Sequence, residues 1–580
     1  MRYVIKLPNA NNHLINISLH VDNIDTDELE LQLPAWRPGR YEIGNFAKNI
    51  QSFKVKDSGN RIVEFIKITK DKWKINTLNL SSIIVEYDFY AYELNAGSCY
   101  FTNDQLYING IQCFLYNAHK LHQKHIIELN IPVGYKIACS LMQEGNLLYA
   151  NDFHELVDSP LIASATLHHR EYQVGNTKFH IWVQGDIDLD WERVINDFKR
   201  FSTYQIKIMG TLPVKEFCFL VQAPNQVAYH GVEHLANTVL YFGPAANIME
   251  EKYYTEFLGL ASHELFHSWN IKAIRPVEWF PYNYEKENYS RLGYVAEGVT
   301  TYLGDKFLYS SGVFNTEQYL KELNSRLQSH IDNFGRFYMP VTRASMDTWL
   351  DGYVLGVPHR KTSIYTEGAL ITLMLDLMIM KNSGYANSIE SVMKSMYENY
   401  ALKNKGYSEE DYMNECEIAA TVSLKSFFDT YVYGADSYEF ELTKMFEWIG
   451  LKMVYTNSKN PLERFGIKSI KKSDGYYVLM VAPDSPAEKA GISQKDILKL
   501  KDEHASLSEE DFNALVEKND HTLELRLNLN EDQFKQLTLQ KHSSTEYYRK
   551  VKLELLNDIS SEQKEFFENW SRVKLLEEIN

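Results

Sequence analysis

The spacing of apolar residues changes once along the chain, and this change limits the possible folds more than any other feature. Up to about residue 170, short alternating or apolar runs such as HLINISLHV and SSIIVEYDFYAY are separated by Asn, Asp, Gly and Pro, which is typical of β-strands. From about residue 185, longer runs have helical spacing, for example 252–272, 291–310 and 363–382. An all-β domain, for which the pattern of short strands favours a sandwich, is expected to precede a mainly helical one.

The last part of the chain returns to strand-like patterns after the polar stretch TNSKNPLE, with a helix-sized segment DSPAEKAGI between strands. The sequence predicts a helix at the end of the chain, because Ser560 and Gln563 have the spacing of a capping box. A chain of 580 residues exceeds what one hydrophobic core supports. We therefore predict a multidomain α+β protein with domains at 1–172, 173–455 and 460–542 and a helical tail at 543–580.

Composition excludes several classes of function. The formal net charge of −17 opposes binding to nucleic acid or anionic lipid, so neither is an expected partner. Five scattered cysteines without a CxxC pair indicate a reducing compartment. The N-terminus lacks a secretory pattern, and the most apolar segment, 369–380, is too short for a bilayer and contains Asp376. A cytoplasmic protein is expected.

The segment ASHELFHSWNIK at 261–272 contains candidate metal ligands and a candidate catalytic base. In a helix, Leu258, Ala261 and Leu265 form an apolar stripe, while His263 and His267 project from the other side. Two histidines at this spacing can chelate one metal ion, and a Glu after the first can act as a base. HExxH alone is equally compatible with a solvated helix face without metal.

A third ligand is needed to separate these interpretations, because catalytic zinc usually has three protein ligands and an open fourth position. Glu297 lies thirty residues after His267, between the small residues Ala296 and Gly298. A carboxylate in this setting can approach another helix closely. Thr301 and Asp305 are candidates for orienting the ligands, with a solvent-facing role for Asp305 equally open.

Several segments together resemble one family. The run HSWNIKAIRPVEWFPYNYEKENYSRLGYVAEGVTTYLGD at 267–305 is similar to the zinc-site block of the glycyl aminopeptidase family of gluzincin metallopeptidases, which carry a C-terminal PDZ domain. LPAWRPGRYEIGNFAKNIQSF at 33–53, YINGIQCFLY at 107–116 and HELVDSPL at 154–161 resemble the same family. The resemblance covers nearly the whole chain.

The resemblance implies an N-terminal β-sandwich, a thermolysin-like catalytic domain and one catalytic zinc ion. It implies metal ligands His263, His267 and Glu297, with Glu264 as general base. YHGVEHLANT at 229–238 is similar to the segment that related aminopeptidases place beside the substrate amine, which implies Glu233 as amine anchor. SIYTEGALITLML at 363–375 implies that Tyr365 donates a hydrogen bond to the oxyanion; Glu367 departs from the Lys usual there.

The C-terminal segment VLMVAPDSPAEKAGISQKDILKL at 478–500 resembles half of a bacterial-type PDZ domain, with RFGI at 464–467 as a candidate loop for a peptide C-terminus. Two departures are Lys495, where Gly is usual, and KDEH at 501–504, where an Asn-Gly turn is usual. PDZ-type folding is expected, while peptide binding stays open.

The sequence thus predicts a zinc aminopeptidase that acts on peptides with a free N-terminus. The family name implies a preference for Gly or Ala as the N-terminal residue. Two alternatives remain: a zinc endopeptidase with PDZ-guided substrate choice, and a catalytically decayed peptide-binding scaffold. Two other histidine groups have spacings that do not bring their side chains to one point, and we expect solvated residues there. These groups are His119, His122 and His125, and His168 and His169.

Overall fold

The computed structural model describes residues 1–354, 356–458, 460–473, 475–500, 522–528, 533–540 and 547–574. The chain divides into two compact bodies. The first comprises Met1–Gln318, Ser345–Val354 and Leu375–Lys425, and the second comprises the remaining described residues.

The N-terminal part of the first body is β-rich, as the alternating pattern predicts. Its strands are β1 (Arg2–Asn9), β2 (Leu14–Asp22), β3 (Glu28–Gln32), β4 (Ile50–Asp57), β5 (Phe65–Thr69), β6 (Lys72–Asn76), β7 (Ser82–Tyr90), β8 (Tyr100–Phe101), β9 (Leu106–Ile108), β10 (His125–Asn130), β11 (Lys136–Ala138), β12 (Met142–Glu144), β13 (Leu147–Ala150) and β14 (Leu161–Ser164). Two short helices, α1 (Gly110–Cys113) and α2 (Phe153–Val157), lie among them.

These strands form three sheets around one core. The largest has the order β12-β13-β10-β1-β2-β7-β4, and the smaller two have the orders β3-β6-β5 and β11-β14-β9-β8. Ile17 on β2 and Val85 on β7 pack in the same buried cluster as Leu31 on β3 and Ile75 on β6. Alternate residues of each strand point to one face, so each sheet contributes one apolar face to this core. His125 on β10 is buried beside Tyr3, and the prediction of a solvated residue there is wrong.

A fourth sheet, of mixed strand direction, follows in the first body. Its strands are β15 (His168–Val174), β16 (Thr177–Gln184), β17 (Glu216–Gln222), β18 (Ala228–Glu233) and β19 (Asn237–Gly243). Their order is β15-β16-β17-β19-β18, with parallel pairs at the centre and antiparallel edge strands. Because β15 belongs to this sheet, the sheet begins at His168, a few residues before the predicted boundary at 172.

Helices beside this sheet hold the predicted functional segments. They are α3 (Trp191–Met209), α4 (Glu251–Phe266) and α5 (Thr300–Ser310), with a π-helical turn at Tyr294–Val299 directly before α5. The helices that follow in the chain are α6 (Thr316–Asp332), α7 (Val341–Asp351), α8 (Thr366–Asn382), α9 (Ile389–Asn399), α10 (Glu409–Ala420), α11 (Lys425–Phe427) and α12 (Glu439–Trp448). In the described ranges, none of the helices combines the length and apolarity that a membrane crossing requires.

The second body contains the C-terminal elements. These are β20 (Leu451–Thr456), α13 (Pro461–Arg464), β21 (Ile467–Lys472), β22 (Gly475–Val481), α14 (Pro486–Lys489), β23 (Ile497–Leu500), β24 (Thr522–Asn528), β25 (Phe534–Gln540), β26 (Lys550–Leu555) and α15 (Ser561–Ser571). Strands β21 to β25 form an antiparallel sheet in sequence order. The KDEH segment at 501–504 lies outside the described residues.

The tail differs in part from the helix predicted for 543–580. Ser560 and Gln563 form the capping box that their spacing indicates, at the start of α15. Before it, β26 pairs antiparallel with β20, which lies about a hundred residues earlier in the chain. Local sequence does not reveal this strand, because its partner is remote.

A buried ion-pair network holds α5, α8 and α9 together within the first body. Lys306 on α5 lies 2.8 Å from Asp376 on α8 and 3.3 Å from Glu390 on α9. Asp376 also accepts hydrogen bonds from the Tyr302 hydroxyl (2.6 Å) and the Ile389 backbone N–H (2.9 Å). Burial lowers the pKa of Lys306, but the two carboxylates outweigh it and raise the pKa overall. The charged Asp376 in the most apolar segment of the chain is explained by this network.

Replacing Lys306 by Met is expected to destabilise the first body by about 3–5 kcal/mol, because two carboxylates would remain buried without their cation. Urea unfolding followed by fluorescence measures the change. Lys74→Met is the control: it breaks a surface ion pair with Glu28 that water screens, and it should leave the unfolding midpoint nearly unchanged. Equal unfolding midpoints for the two variants would contradict the prediction.

Candidate active site

Helix α4 presents His263 and His267 one turn apart. Leu258, Ala261 and Leu265 bury the other side of the helix, as the apolar stripe predicts. The two Nε2 atoms lie 3.0 Å apart, and His267 is almost completely buried. The two rings therefore face the same point.

Glu297 reaches the same point from the π-helical turn at Tyr294–Val299. Its Oε2 lies 3.5 Å from Nε2 of His267 and 3.8 Å from Nε2 of His263, and the residue is 2% exposed. Single π-helical turns are uncommon and often occur at functional sites. The spacing of Glu297 from the histidines is visible in the sequence, whereas the turn that aims its carboxylate is not.

Close packing between α4 and α5 fixes this arrangement. A Cβ atom at Gly304 would lie 3.0 Å from Cα of His263, so the two helices touch where α5 carries a glycine. The Ser262 hydroxyl donates a hydrogen bond to the Gly304 carbonyl at 2.8 Å. The glycine is required here by the short distance between the helices.

Asn270 orients His267 and joins it to the turn that carries Glu297. Nδ1 of His267 lies 2.7 Å from the Asn270 carbonyl oxygen, so in the neutral imidazole Nδ1 carries the proton and the Nε2 lone pair faces the site. The Asn270 side chain donates to the Val295 carbonyl (2.9 Å) and contacts the Thr300 hydroxyl (3.1 Å). Thr300 therefore supports the ligands, a role for which the sequence suggested its neighbour Thr301.

Two more carboxylates lie beside His267. Glu264 on α4 and Glu233 at the end of β18 are each 5% exposed, and each has an oxygen without a hydrogen-bond partner among the described residues. One oxygen from each and a ring nitrogen of His267 lie within 4.8 Å of one another. Such partnerless buried oxygens are uncommon and indicate that a bound group completes the site.

Two glycines make room for these carboxylates. A Cβ atom at Gly231 would collide with the carboxylate of Glu264, and one at Gly39 would collide with the carboxylate of Glu233. Gly39 also has φ +86°, a conformation that favours glycine. Gly39 belongs to the 33–53 segment, so the N-terminal β-rich domain supplies one wall of the site.

The charges in this cluster favour a cation. Burial raises the pKa of Glu264 well above its usual range, and the nearby carboxylates of Glu233 and Glu297 raise it further. Burial lowers the pKa of His267, but Glu297 outweighs it and raises the pKa to about 9. Two imidazole nitrogens and a carboxylate oxygen are a donor set that Zn²⁺ takes in proteins, and the Nδ1 hydrogen bond of His267 is typical of a metal ligand. The residues present therefore fit a zinc ion.

A second buried network fixes the end of β18. Asp158 lies 2.6 Å from Nζ of Lys272, accepts a 2.8 Å hydrogen bond from the Leu235 backbone and lies 3.0 Å from Nδ1 of His234. Burial raises the pKa of Asp158, but Lys272 and His234 outweigh it and lower the pKa overall. His234, which the sequence left unassigned, thus helps to position its neighbour Glu233. The network borders a cavity of about 360 Å³.

Tyr365 directly precedes α8, and its role stays a prediction. Glu367, the departure from the usual Lys, is buried in the second body. It lies 2.8 Å from Nδ1 of His330 and accepts a hydrogen bond from the Tyr438 hydroxyl. Burial raises the pKa of Glu367, but His330 outweighs it and lowers the pKa overall. The acidic residue at this position therefore has a structural partner.

Comparisons with known proteins identify two family models that match this chain and solved structures with a similar fold. The model of the M61 peptidase N-terminal domain matches residues 2–165, and the model of the M61 glycyl aminopeptidase matches residues 256–371. A search of curated proteins gives no match. An aminopeptidase N family protein from Idiomarina loihiensis shares the fold at TM-score 0.90 and 24% identity, covering 98% of this chain and 99% of that chain. An M1 zinc metallopeptidase from Deinococcus radiodurans is 14% identical at TM-score 0.47, covering 75% of this chain and 94% of that chain.

The two family models cover the β-rich domain and the segment that contains His263, Glu264, His267 and Glu297. The family resemblance seen in the sequence is therefore confirmed for these two regions. Residues 2–165 and 256–371 match the two domain models of the M61 peptidase family, and the second of these models is that of a glycyl aminopeptidase.

Proposed function

We propose that this protein is a zinc-dependent aminopeptidase that removes N-terminal residues, with a preference for Gly or Ala, from peptides. The observation that carries the proposal is the convergence of His263, His267 and Glu297 beside two further buried carboxylates. Membership of a peptidase family supports peptide substrates, and the description of its catalytic domain supports a small N-terminal residue.

In this proposal His263, His267 and Glu297 hold one zinc ion. Three protein ligands leave a fourth position open, which is the usual composition of a catalytic zinc site. Bound zinc supplies a Lewis acid for the substrate carbonyl and lowers the pKa of a water molecule.

Glu264 is the proposed general base. It follows His263 directly, and its carboxylate lies in the same buried cluster as His267. The carboxylate accepts a proton from the attacking water and later passes it to the leaving amine. A cation among these carboxylates lowers the pKa of Glu264 and keeps the base form populated.

Glu233 is the proposed anchor for the substrate amine. Its carboxylate is buried, is held against Gly39 and has an oxygen without a partner among the described residues. An ammonium group would satisfy that oxygen with a charge-assisted hydrogen bond. A blocked N-terminus would leave it unsatisfied, which disfavours internal peptide bonds.

Tyr365 is the proposed donor to the oxyanion. The support is its place in SIYTEG, directly before α8, together with the family resemblance of that segment. A phenol hydrogen bond that strengthens as negative charge develops lowers the barrier of the chemical step.

The alternatives rest on fewer features. A decayed scaffold would not need the ligand set and the base, all of which are present in this chain. An endopeptidase would not need a carboxylate for a free amine.

The five cysteines are free thiols, which supports a cytoplasmic location.

We also propose a PDZ-like domain at 460–542. The antiparallel sheet β21 to β25 and the capped helix α14 support it. Gly466 of the RFGI loop has φ +87° and lies against Ser485, which caps α14. Lys495 has φ +77°, so the chain keeps the backbone conformation that the usual Gly would adopt there. PDZ-guided binding of a peptide C-terminus is the function this domain would add.

Glu264→Gln is expected to lower kcat on a glycyl or alanyl chromogenic amide by at least about a hundredfold, because general acid–base catalysis contributes about 10²–10⁴. A chelator should abolish wild-type activity, and added Zn²⁺ should restore it. The variant should retain its zinc, as measured by mass spectrometry of the metal.

Glu256→Gln, on the same helix two turns earlier, is the matched control and should keep wild-type activity. Cleavage that survives complete zinc removal, or a fully active Glu264→Gln, would reject the proposed mechanism.

Blocking the substrate amine is expected to stop cleavage. Wild-type protein should cleave an alanyl peptide and leave its N-acetylated form intact, because Glu233 has no ammonium partner in the latter. Glu233→Gln should lower kcat/KM on the free peptide at least about tenfold, through loss of a charge-assisted hydrogen bond. Chromatography of the products measures both. Equal cleavage of the two peptides would favour the endopeptidase.

Tyr365→Phe is expected to lower kcat by about 10²–10³ with KM nearly unchanged, because the lost hydrogen bond forms mainly in the transition state. Steady-state kinetics on the same chromogenic amide separates the two constants. An unchanged kcat would remove Tyr365 from the mechanism.

A further inference from the structure

A second group of metal-ligating side chains lies on the hairpin of β15 and β16. The strands pair antiparallel, with His169 opposite Trp182 and Glu171 opposite His180. Residues two apart in a strand point to the same face, so these four side chains share one face of the hairpin. His169 was expected to be solvated, but it is half-buried and packs on Trp182 with ring centroids 3.8 Å apart.

The donor atoms of this group lie close together. Nε2 of His169 is 3.0 Å from Nδ1 of His180, and Oε2 of Glu171 is 3.9 Å from that Nδ1. One donor atom from each of the three residues lies within 4.8 Å of the other two. His263 and His267 have the same separation of 3.0 Å between their ring nitrogens.

Neighbouring residues orient His180 as they would a metal ligand. Glu216, the first residue of β17, lies 3.5 Å from Nε2 of His180. A carboxylate there favours the proton on Nε2 and leaves the Nδ1 lone pair directed at His169 and Glu171. A carboxylate behind the outer ring nitrogen is the common support of histidines that bind metal.

The charge states also suit a metal ion. Burial, together with the neighbouring imidazole, lowers the pKa of His169, and burial with Lys178 lowers the pKa of His180. Neutral imidazoles are the form that binds metal. Lys178 lies 2.8 Å from Glu171 and lowers the pKa of that carboxyl through their hydrogen bond, and a carboxylate has enough lone pairs for both the lysine and an ion.

We propose that His169, Glu171 and His180 form a second metal site that binds Zn²⁺, separate from the group at His263. Two imidazole nitrogens and one carboxylate oxygen are suitable ligands for this ion. Because the group is partly exposed, water completes the coordination. The bound ion would link β15 to β16. Glu216 at the start of β17 would support the site through its contact with His180.

Zinc content of the full-length protein after dialysis against Zn²⁺ tests this site, with mass spectrometry of the metal as the readout. Wild type should bind two ions per chain, and the double variant H169Q/H180Q should bind one. His168 is exposed and points to the other face of β15, so H168Q is the matched control and should keep two. Circular dichroism verifies that each variant is folded.

Glu171→Gln keeps the shape of the side chain and should weaken binding of the second ion at least about tenfold, which covers the case in which H169Q/H180Q fails to fold. A wild type that binds one ion, lost in H267Q and kept in H169Q/H180Q, would overturn the second site and leave the proposed catalytic site intact. Two ions in both wild type and Glu171→Gln, with equal affinities, would also overturn it.

Discussion

The carboxylates of Glu233, Glu264 and Glu297 meet the ring of His267 in a buried space, and the surrounding structure is built to hold these charges close together. Burial raises the pKa of Glu264, and the neighbouring carboxylates of Glu233 and Glu297 raise it further. A divalent cation relieves this repulsion. The geometry therefore favours metal binding more strongly than the HExxH spacing alone, which suits a solvated helix equally well.

Four side chains of the segment HSWNIK have a physical task in the structure. His267 faces the site, and the buried indole of Trp269 donates to the Thr211 carbonyl at 2.8 Å. Asn270 joins the end of α4 to the turn that holds Glu297, and Lys272 neutralises Asp158 behind β18. The motif thus fixes two carboxylates, Glu297 and Glu233, from one short stretch that follows α4. Such support keeps a site within the narrow geometry that catalysis needs.

The two histidine and carboxylate groups of the first body show how differently a sequence reveals such sites. His263 and His267 share a helix, so their spacing of four predicts a common face. His169 and His180 lie on two strands, and only the antiparallel register brings them together. A spacing of eleven residues carries no such signal, and the adjacent His168 points away. The first pair is visible in the sequence, and the second depends on strand pairing.

The sequence by itself determined the order of a β-rich and a mainly helical region, the apolar stripe of α4, the candidate ligands and the family, because these depend on local periodicity and on contiguous motifs. Tertiary structure decided the rest. It placed Gly39 of the β-rich domain against Glu233, gave Thr300 the role suggested for Thr301, paired β26 with β20 and buried His125 and Asp376 with remote partners. These features depend on contacts between residues that lie tens to hundreds of positions apart in the chain. Burial and strand register determine which of those contacts form, and no local sequence pattern encodes either of them.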